Sequence, residues 1–198
     1  GNVTQTAALD VPGALTVDAA GNDVTLNNVN NAVGGAISLS NVAAFSYQAD
    51  GDITLGSIAT TTSATVTAGN GGTTGAITGT VGIALGGGFT LDAIDNISLT
   101  GQVTVTGHTD IAVTNDDVTI NNVNTDLNTL EVTNAAAVTL QDTDGLTFDT
   151  ANSDMASLDL TAGGNVTDGA GIQVTVSGLA TFDVNPGAVT LDTGTNDF

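Results

Sequence analysis

The sequence predicts an all-β chain wound into one β-solenoid, a parallel β-helix with three short strands per coil. Three observations predict it. Triplets with apolar outer members and a polar centre recur along the whole length, as in Leu15-Thr16-Val17 and Val24-Thr25-Leu26. The gaps between them hold Gly, Asn and Asp, residues suited to turns. One stretch is also written twice. Asn22-Asp23-Val24-Thr25-Leu26-Asn27-Asn28-Val29-Asn30 returns as Asp116-Asp117-Val118-Thr119-Ile120-Asn121-Asn122-Val123-Asn124, 94 positions later (116 − 22).

Taken in order, the triplets continue through Ile37-Ser38-Leu39, Ile53-Thr54-Leu55, Phe89-Thr90-Leu91, Ile97-Ser98-Leu99 and Val103-Thr104-Val105. After Val118-Thr119-Ile120 come Leu130-Glu131-Val132, Val138-Thr139-Leu140, Leu146-Thr147-Phe148 and Leu158-Asp159-Leu160. Val174-Thr175-Val176, Phe182-Asp183-Val184 and Val189-Thr190-Leu191 close the series. Period-two alternation is the mark of a half-buried strand, and no window carries the 3.6 period of a helix. Strands this short are unstable alone or as hairpins. They gain stability when the chain coils and equivalent triplets stack in parallel rows. Three triplets per coil need roughly 20–25 residues, the size of a solenoid repeat. At about 4.8 Å between rows, eight or nine coils make a rod roughly 40 Å long.

The repeat extends beyond its opening motif. Phe45-Ser46-Tyr47-Gln48 through Ile53-Thr54-Leu55 matches Val138-Thr139-Leu140-Gln141 through Leu146-Thr147-Phe148. Thr67-Ala68-Gly69 matches Thr161-Ala162-Gly163, and Phe89 matches Phe182. The chain reads as one continuous solenoid segment, residues 1–198, holding about two copies (roughly 1–100 and 101–198) of a unit of about 94 residues. Neither end carries a polar cap, so the expected setting is a longer array of such repeats, or copies associated end to end.

Composition agrees with thin, regular layers. Hydrophobic content is 40%, but only 3% is aromatic, so Val, Ile, Leu and Ala must fill the core. There are 21 acidic side chains and no Lys or Arg, a net charge of −21. All but Glu131 are Asp, which places most carboxylates in turns and strand margins, where a short side chain bonds the neighbouring backbone. Without basic side chains, cohesion rests on apolar burial and backbone hydrogen bonds. The same balance excludes a nucleic-acid groove and an anionic membrane surface as partners. Cysteine is absent, so disulfides and thiolate metal sites are excluded. The longest weakly polar run, Val81 to Leu91, is too short to cross a bilayer.

Gly1-Asn2-Val3-Thr4-Gln5-Thr6, Gly21-Asn22-Asp23-Val24-Thr25-Leu26-Asn27-Asn28 and Gly34-Gly35-Ala36-Ile37-Ser38-Leu39 resemble repeat units of giant bacterial surface proteins, the filamentous-haemagglutinin-like adhesins. The resemblance spans most of the chain. It implies a right-handed parallel β-helix shaft, secreted to the cell surface and used in adhesion or aggregation.

Candidate sites are few. His108 is the sole histidine and aligns with Ala14 of the other copy; with no Cys and no second His it cannot build a zinc site, and it reads as a tolerated turn residue. Asp142-Thr143-Asp144-Gly145 and its counterpart Asp50-Gly51-Asp52 resemble the start of a calcium loop but lack the further oxygen ligands, so an Asp–Gly turn is the better reading. Asp116-Asp117 suggests a glycosidase carboxylate pair, but no basic residue and no Trp accompanies it. The clusters Asn27, Asn28, Asn30, Asn31 and Asn121, Asn122, Asn124 are expected at coil corners, in amide ladders and with left-handed backbone angles. Thr65-Val66-Thr67 and Thr104-Val105-Thr106 fit the pattern of an ice-binding face, but most triplets carry one Thr.

No catalytic, cofactor-binding or metal-binding residue is therefore assigned. The expected function is structural: a stiff spacer or fibre shaft of a secreted surface adhesin or extracellular filament. An acidic module recruiting divalent cations such as Ca2+, by nonspecific association, or glycans is the alternative. A polysaccharide-active enzyme ranks last.

Overall fold

The computed structural model describes residues 1–198 and consists of twenty strands joined by turns, with no helix. There is accordingly no helix long and apolar enough to cross a membrane. Every strand pairing is parallel. Hairpins folded into a sandwich would pair antiparallel, so the chain is a β-solenoid, of about nine turns.

The strands stack in three rows, one for each face of the coil. The first row runs Val3, Val24, Phe45, Ala64, Phe89, Thr109 and Leu130. It continues with Ser153 over Val132, then Val174. The second row is the most regular: Ile53, Ile77, Ile97, Val118, Val138, Leu158 and Ala180. The third runs Leu15, Ile37 and Leu39 to Ile58, Ile83 and Val103, passes Leu127 before the register shift, and resumes with Leu146, Val166 and Val189. At that corner the register slips, so that Thr147 and Phe148 pair with Thr129 and Leu130 at the edge of the first row. Along the second row one coil takes between 20 residues (97 − 77) and 24 (77 − 53), the length expected from three triplets.

Inside, the outer members of each triplet meet. Val118 and Ile120 are buried while Thr119 between them is partly exposed, and the same alternation repeats through Val138–Leu140 and Leu146–Phe148. The result is one core of 44 buried apolar residues running down the axis. Val3, Leu9, Leu15 and Val17 in the first coil, and Phe182, Val184 and Leu191 in the last, are only partly buried. They pack against one neighbouring coil where interior residues pack against two.

The strands are longer than the triplets. Leu15–Leu26, Ile37–Ala49 and Ile53–Ala68 each carry pairing around a corner. The ladder survives because the bend is absorbed by register shifts, such as those between Asp18 and Val24 and between Ile37 and Ala44. Corners also pack closely: a Cβ on Gly107 would lie 2.7 Å from the backbone of Gly87 one coil below, so these corners meet backbone to backbone.

The copies of the repeat do not lie on the same face. Val24 is in the first row and its match Val118 in the second; Phe45 and Val138 are related in the same way. Ile53 is in the second row and Leu146 in the third, while Leu15 is in the third and Thr109 in the first. Val24, Phe45, Ala64, Phe89 and Thr109 stack in succession, so four coils separate the first from the last, and Val118 follows one face later. One repeat therefore spans four coils and one third, and each copy is turned by one face relative to the copy before it.

Candidate functional site

The carboxylates and carboxamides that lead into the triplets bind the coils together. Asp23 Oδ1 accepts the N–H of Ala44 at 3.2 Å, and Asp52 Oδ1 that of Ala76 at 3.0 Å. Asn96 Oδ1 accepts the N–H of Asp117 at 2.8 Å, and Asp117 Oδ1 in turn that of Ala137 at 3.1 Å. Asn152 and Asn165 do the same for Gln173 and Ala188, at 2.8 and 3.0 Å. The sequence pointed to bonds within each turn, and some exist, as from Ala20 N–H to Asp18 and from Asp144 N–H to Asp142. The recurrent bond, however, crosses to the next coil. Asp suits it better than Glu because its single methylene holds the oxygen within reach of that N–H without extra rotamer freedom.

His108 lies in the strand Val103–Ala112, at the register shift where that strand rounds a corner. It is therefore a strand residue rather than a residue of an open turn. Its Nδ1 lies 2.9 Å from Thr129 Oγ1 and 3.3 Å from Thr150 Oγ1. Its Nε2 approaches Glu131 Oε2 at 3.8 Å, an electrostatic contact too long for a hydrogen bond. Asp110 stands beside Glu131 in register on the same face. Burial, then repulsion from Asp110, pushes the Glu131 carboxyl up, with His108 opposing; burial and Asp110 likewise raise Asp92. This association of the only His with the only Glu was missed in the sequence. Counting one coil forward from His108 would have found it, since 131 − 108 = 23.

Asp142 is 5% exposed, in an inward position stacked against Ala162. One oxygen accepts the Leu127 N–H at 2.8 Å and the other the Asp144 N–H at 3.1 Å. Burial raises its carboxyl to about 7, opposed by those two amides. Its oxygens thus cap backbone rather than face a cation. Asp50 and Asp52 flank an open notch of about 380 Å³ shared with Asn30 and Asn31, and Asp52 is held by the bond to Ala76. At Asp116-Asp117 the second carboxylate is engaged by Ala137, and the first residue offers its carbonyl to Ala136. No three of His, Asp and Glu come together in a way that could hold a metal ion.

The asparagine clusters do sit at corners, and both copies fold alike. Asn28 Oδ1 accepts the Asn30 N–H at 3.0 Å, and Asn122 Oδ1 accepts the Asn124 N–H at 3.0 Å. The left-handed angles fall elsewhere, on Asn41 (φ 53°), Asn115 (58°) and Asn134 (57°). In place of an Asn ladder, Gln5 and buried Asn31 exchange amide bonds of 2.7 and 3.0 Å. Asn28 and Asn122 form Asx turns instead, each reaching the backbone two residues on, while Asn27 accepts the Ser46 hydroxyl of the next coil at 2.8 Å. Thr65 and Thr104 lie in different rows, so the two Thr-x-Thr segments share no face. What the structure adds is columns of single hydroxyls along the axis, such as Thr54, Thr78, Ser98, Thr119 and Thr139.

No curated protein and no solved structure matches the chain. A family model described as repeats of unknown function (DUF5649) matches residues 1–40 and 135–198, just over half of the sequence. These repeats coil as a β-solenoid here, and the chain belongs to that family.

Proposed function

We propose that the chain is a segment of the stiff shaft of a secreted bacterial surface adhesin or extracellular filament, with a mechanical rather than a catalytic role. The observation that supports this most is the sameness of successive coils. Each adds another layer to three parallel ladders and one axial core, so length can grow without altering what is already built. The shaft would hold a contact region away from the cell, and its partners would be further repeats of the same protein, joined covalently or end to end, and a host or neighbouring cell surface. Electron micrographs of the native particle, with surface labelling of intact cells, test the reading. Fibres decorated at the cell surface are expected; compact, unlabelled particles would overturn it.

The stacked carboxylates Asp110 and Glu131, with Asp92 nearby, favour a second reading, in which the acidic surface recruits divalent cations. Ca2+ would relieve their repulsion beyond simple screening. A melting temperature that rises with CaCl2 at constant ionic strength is the expected result. A rise no larger than NaCl produces would leave only screening.

A further inference from the structure

Three tripeptides in the chain have the form Asn-x-Ser/Thr, where x is not proline: Asn2-Val3-Thr4, Asn96-Ile97-Ser98 and Asn165-Val166-Thr167. Each Asn directly precedes a strand, and the strands Val3–Thr4, Ile97–Leu99 and Val166–Asp168 lie in the first, second and third rows respectively. Asn96 and Asn165 are exposed, and both carboxamides are fixed in the same way. The oxygen accepts a backbone N–H from the next coil, Asp117 at 2.8 Å and Ala188 at 3.0 Å, which turns the Nδ2 group away from that backbone. Neither Nδ2 donates a hydrogen bond within the protein, whereas that of Asn2 is engaged by Asp23 at 3.2 Å. Ile97 and Val166 are buried, and the hydroxyl residues that follow, Ser98 and Thr167, are partly exposed on the outer face.

We propose that Asn96 and Asn165 are N-glycosylation sites, modified by a glycosyltransferase that reads Asn-x-Ser/Thr. The Nδ2 nitrogen displaces a diphosphate from the anomeric carbon of an activated sugar. A C–N bond forms, the C–O bond to phosphate breaks, and one amide proton passes to the transferase. The product keeps the carbonyl oxygen, so the bond to the next coil survives modification. Sugars on two faces would hydrate the rod with neutral groups whose effect, unlike that of its carboxylates, is not screened by salt.

Asn152 provides an internal control. It is exposed and holds Gln173 N–H at 2.8 Å in the same geometry, but Asp154 stands where the hydroxyl residue is required. Trypsin is useless on a chain with no Lys or Arg, but cleavage before aspartate isolates the three positions in peptides 95–109, 159–167 and 149–153. The test is mass spectrometry of these peptides from the full chain made in its own producing cells. Sugar increments on 95–109 and 159–167, with none on 149–153, are expected. A single hexose would point to a nucleotide-activated donor, and a preassembled oligosaccharide to a lipid-linked one; either supports the proposal. Ser98→Ala should abolish the increment on 95–109 and leave that on 159–167. Unmodified 95–109 and 159–167, or equal modification of 149–153, would overturn it.

Discussion

At the scale of single residues, Asp142 is the group most at odds with its surroundings. It is an inward carboxylate in a column whose next member is Ala162, and the first copy of the repeat places Ala49 at the matching position. Its folded-state value of about 7 lies above the ordinary aspartate value of roughly 3.9. Between those two pH values the folded chain binds more protons than the unfolded one, so stability falls as pH rises through the window and levels off above it. Asp18 and Asp168 act oppositely: hydrogen bonds hold both below the usual range, for Asp168 in spite of burial, so their contribution is lost only in stronger acid. Denaturant melts at pH 4.5 and pH 8 should show the chain more stable at the lower pH, by up to a few kcal/mol from Asp142. Asp142→Asn keeps an acceptor for the Leu127 N–H and should remove most of that difference. A variant with an unchanged pH profile would show that other carboxylates govern it. Asn134 makes a separate case, because its left-handed angle disfavours a Cβ without a compensating polar group. Asn134→Ala should cost about 1 kcal/mol, and Asn134→Gly should cost little.

At the scale of elements, what unites the strands is the pattern of bonds from one coil to the next. The triplets marked most strand cores, because alternation is local and Thr119 or Thr147 between apolar neighbours can face only one way. They passed over Ile77–Gly79, Ile83–Leu85 and Val166–Asp168, where a glycine, an alanine and an aspartate break the pattern. Corner behaviour was less legible. Whether Asp23 bonds its own turn or the coil above depends on the length of the intervening coil, which local sequence does not state. For the same reason the left-handed positions Asn41 and Asn134 went unnoticed beside the conspicuous asparagine clusters. The role of the inter-coil bonds can be tested at Asp52, whose Oδ1 holds the Ala76 N–H. Asp52→Asn retains the acceptor and removes a charge from a chain of −21, so it should be neutral or slightly stabilising. Asp52→Ala leaves the amide unpaired and should cost about 1 kcal/mol by chemical denaturation. Equal effects of the two substitutions would mean that charge, not the bond, is what matters there.

At the scale of the whole molecule, coil length and repeat length are out of step. A unit of about 94 residues advances four coils and one third, so its acidic corners, asparagine turns and hydroxyl columns are passed to each face in turn. If further units kept the same rotation, a face would recur only after three of them, a rise of roughly 60 Å at the usual strand spacing. A rod so arranged presents its repeat motifs in more than one direction, which suits the proposed spacer role better than a one-sided binding plate would. The sequence revealed the repeat, but not this rotation, which needs the register of every coil between Val24 and Val118. All of it depends on parallel stacking of equivalent triplets, and that can be measured in solution. The chain has no cysteine, so spin labels on Thr54→Cys and Thr181→Cys would be unique, at two outward positions of the second row. Six coils separate them, and pulsed electron–electron resonance should give one narrow distance of roughly 29 Å, widened only by the label arms. A distance below about 20 Å, as a chain folded back on itself would give, or a broad distribution, would contradict the solenoid.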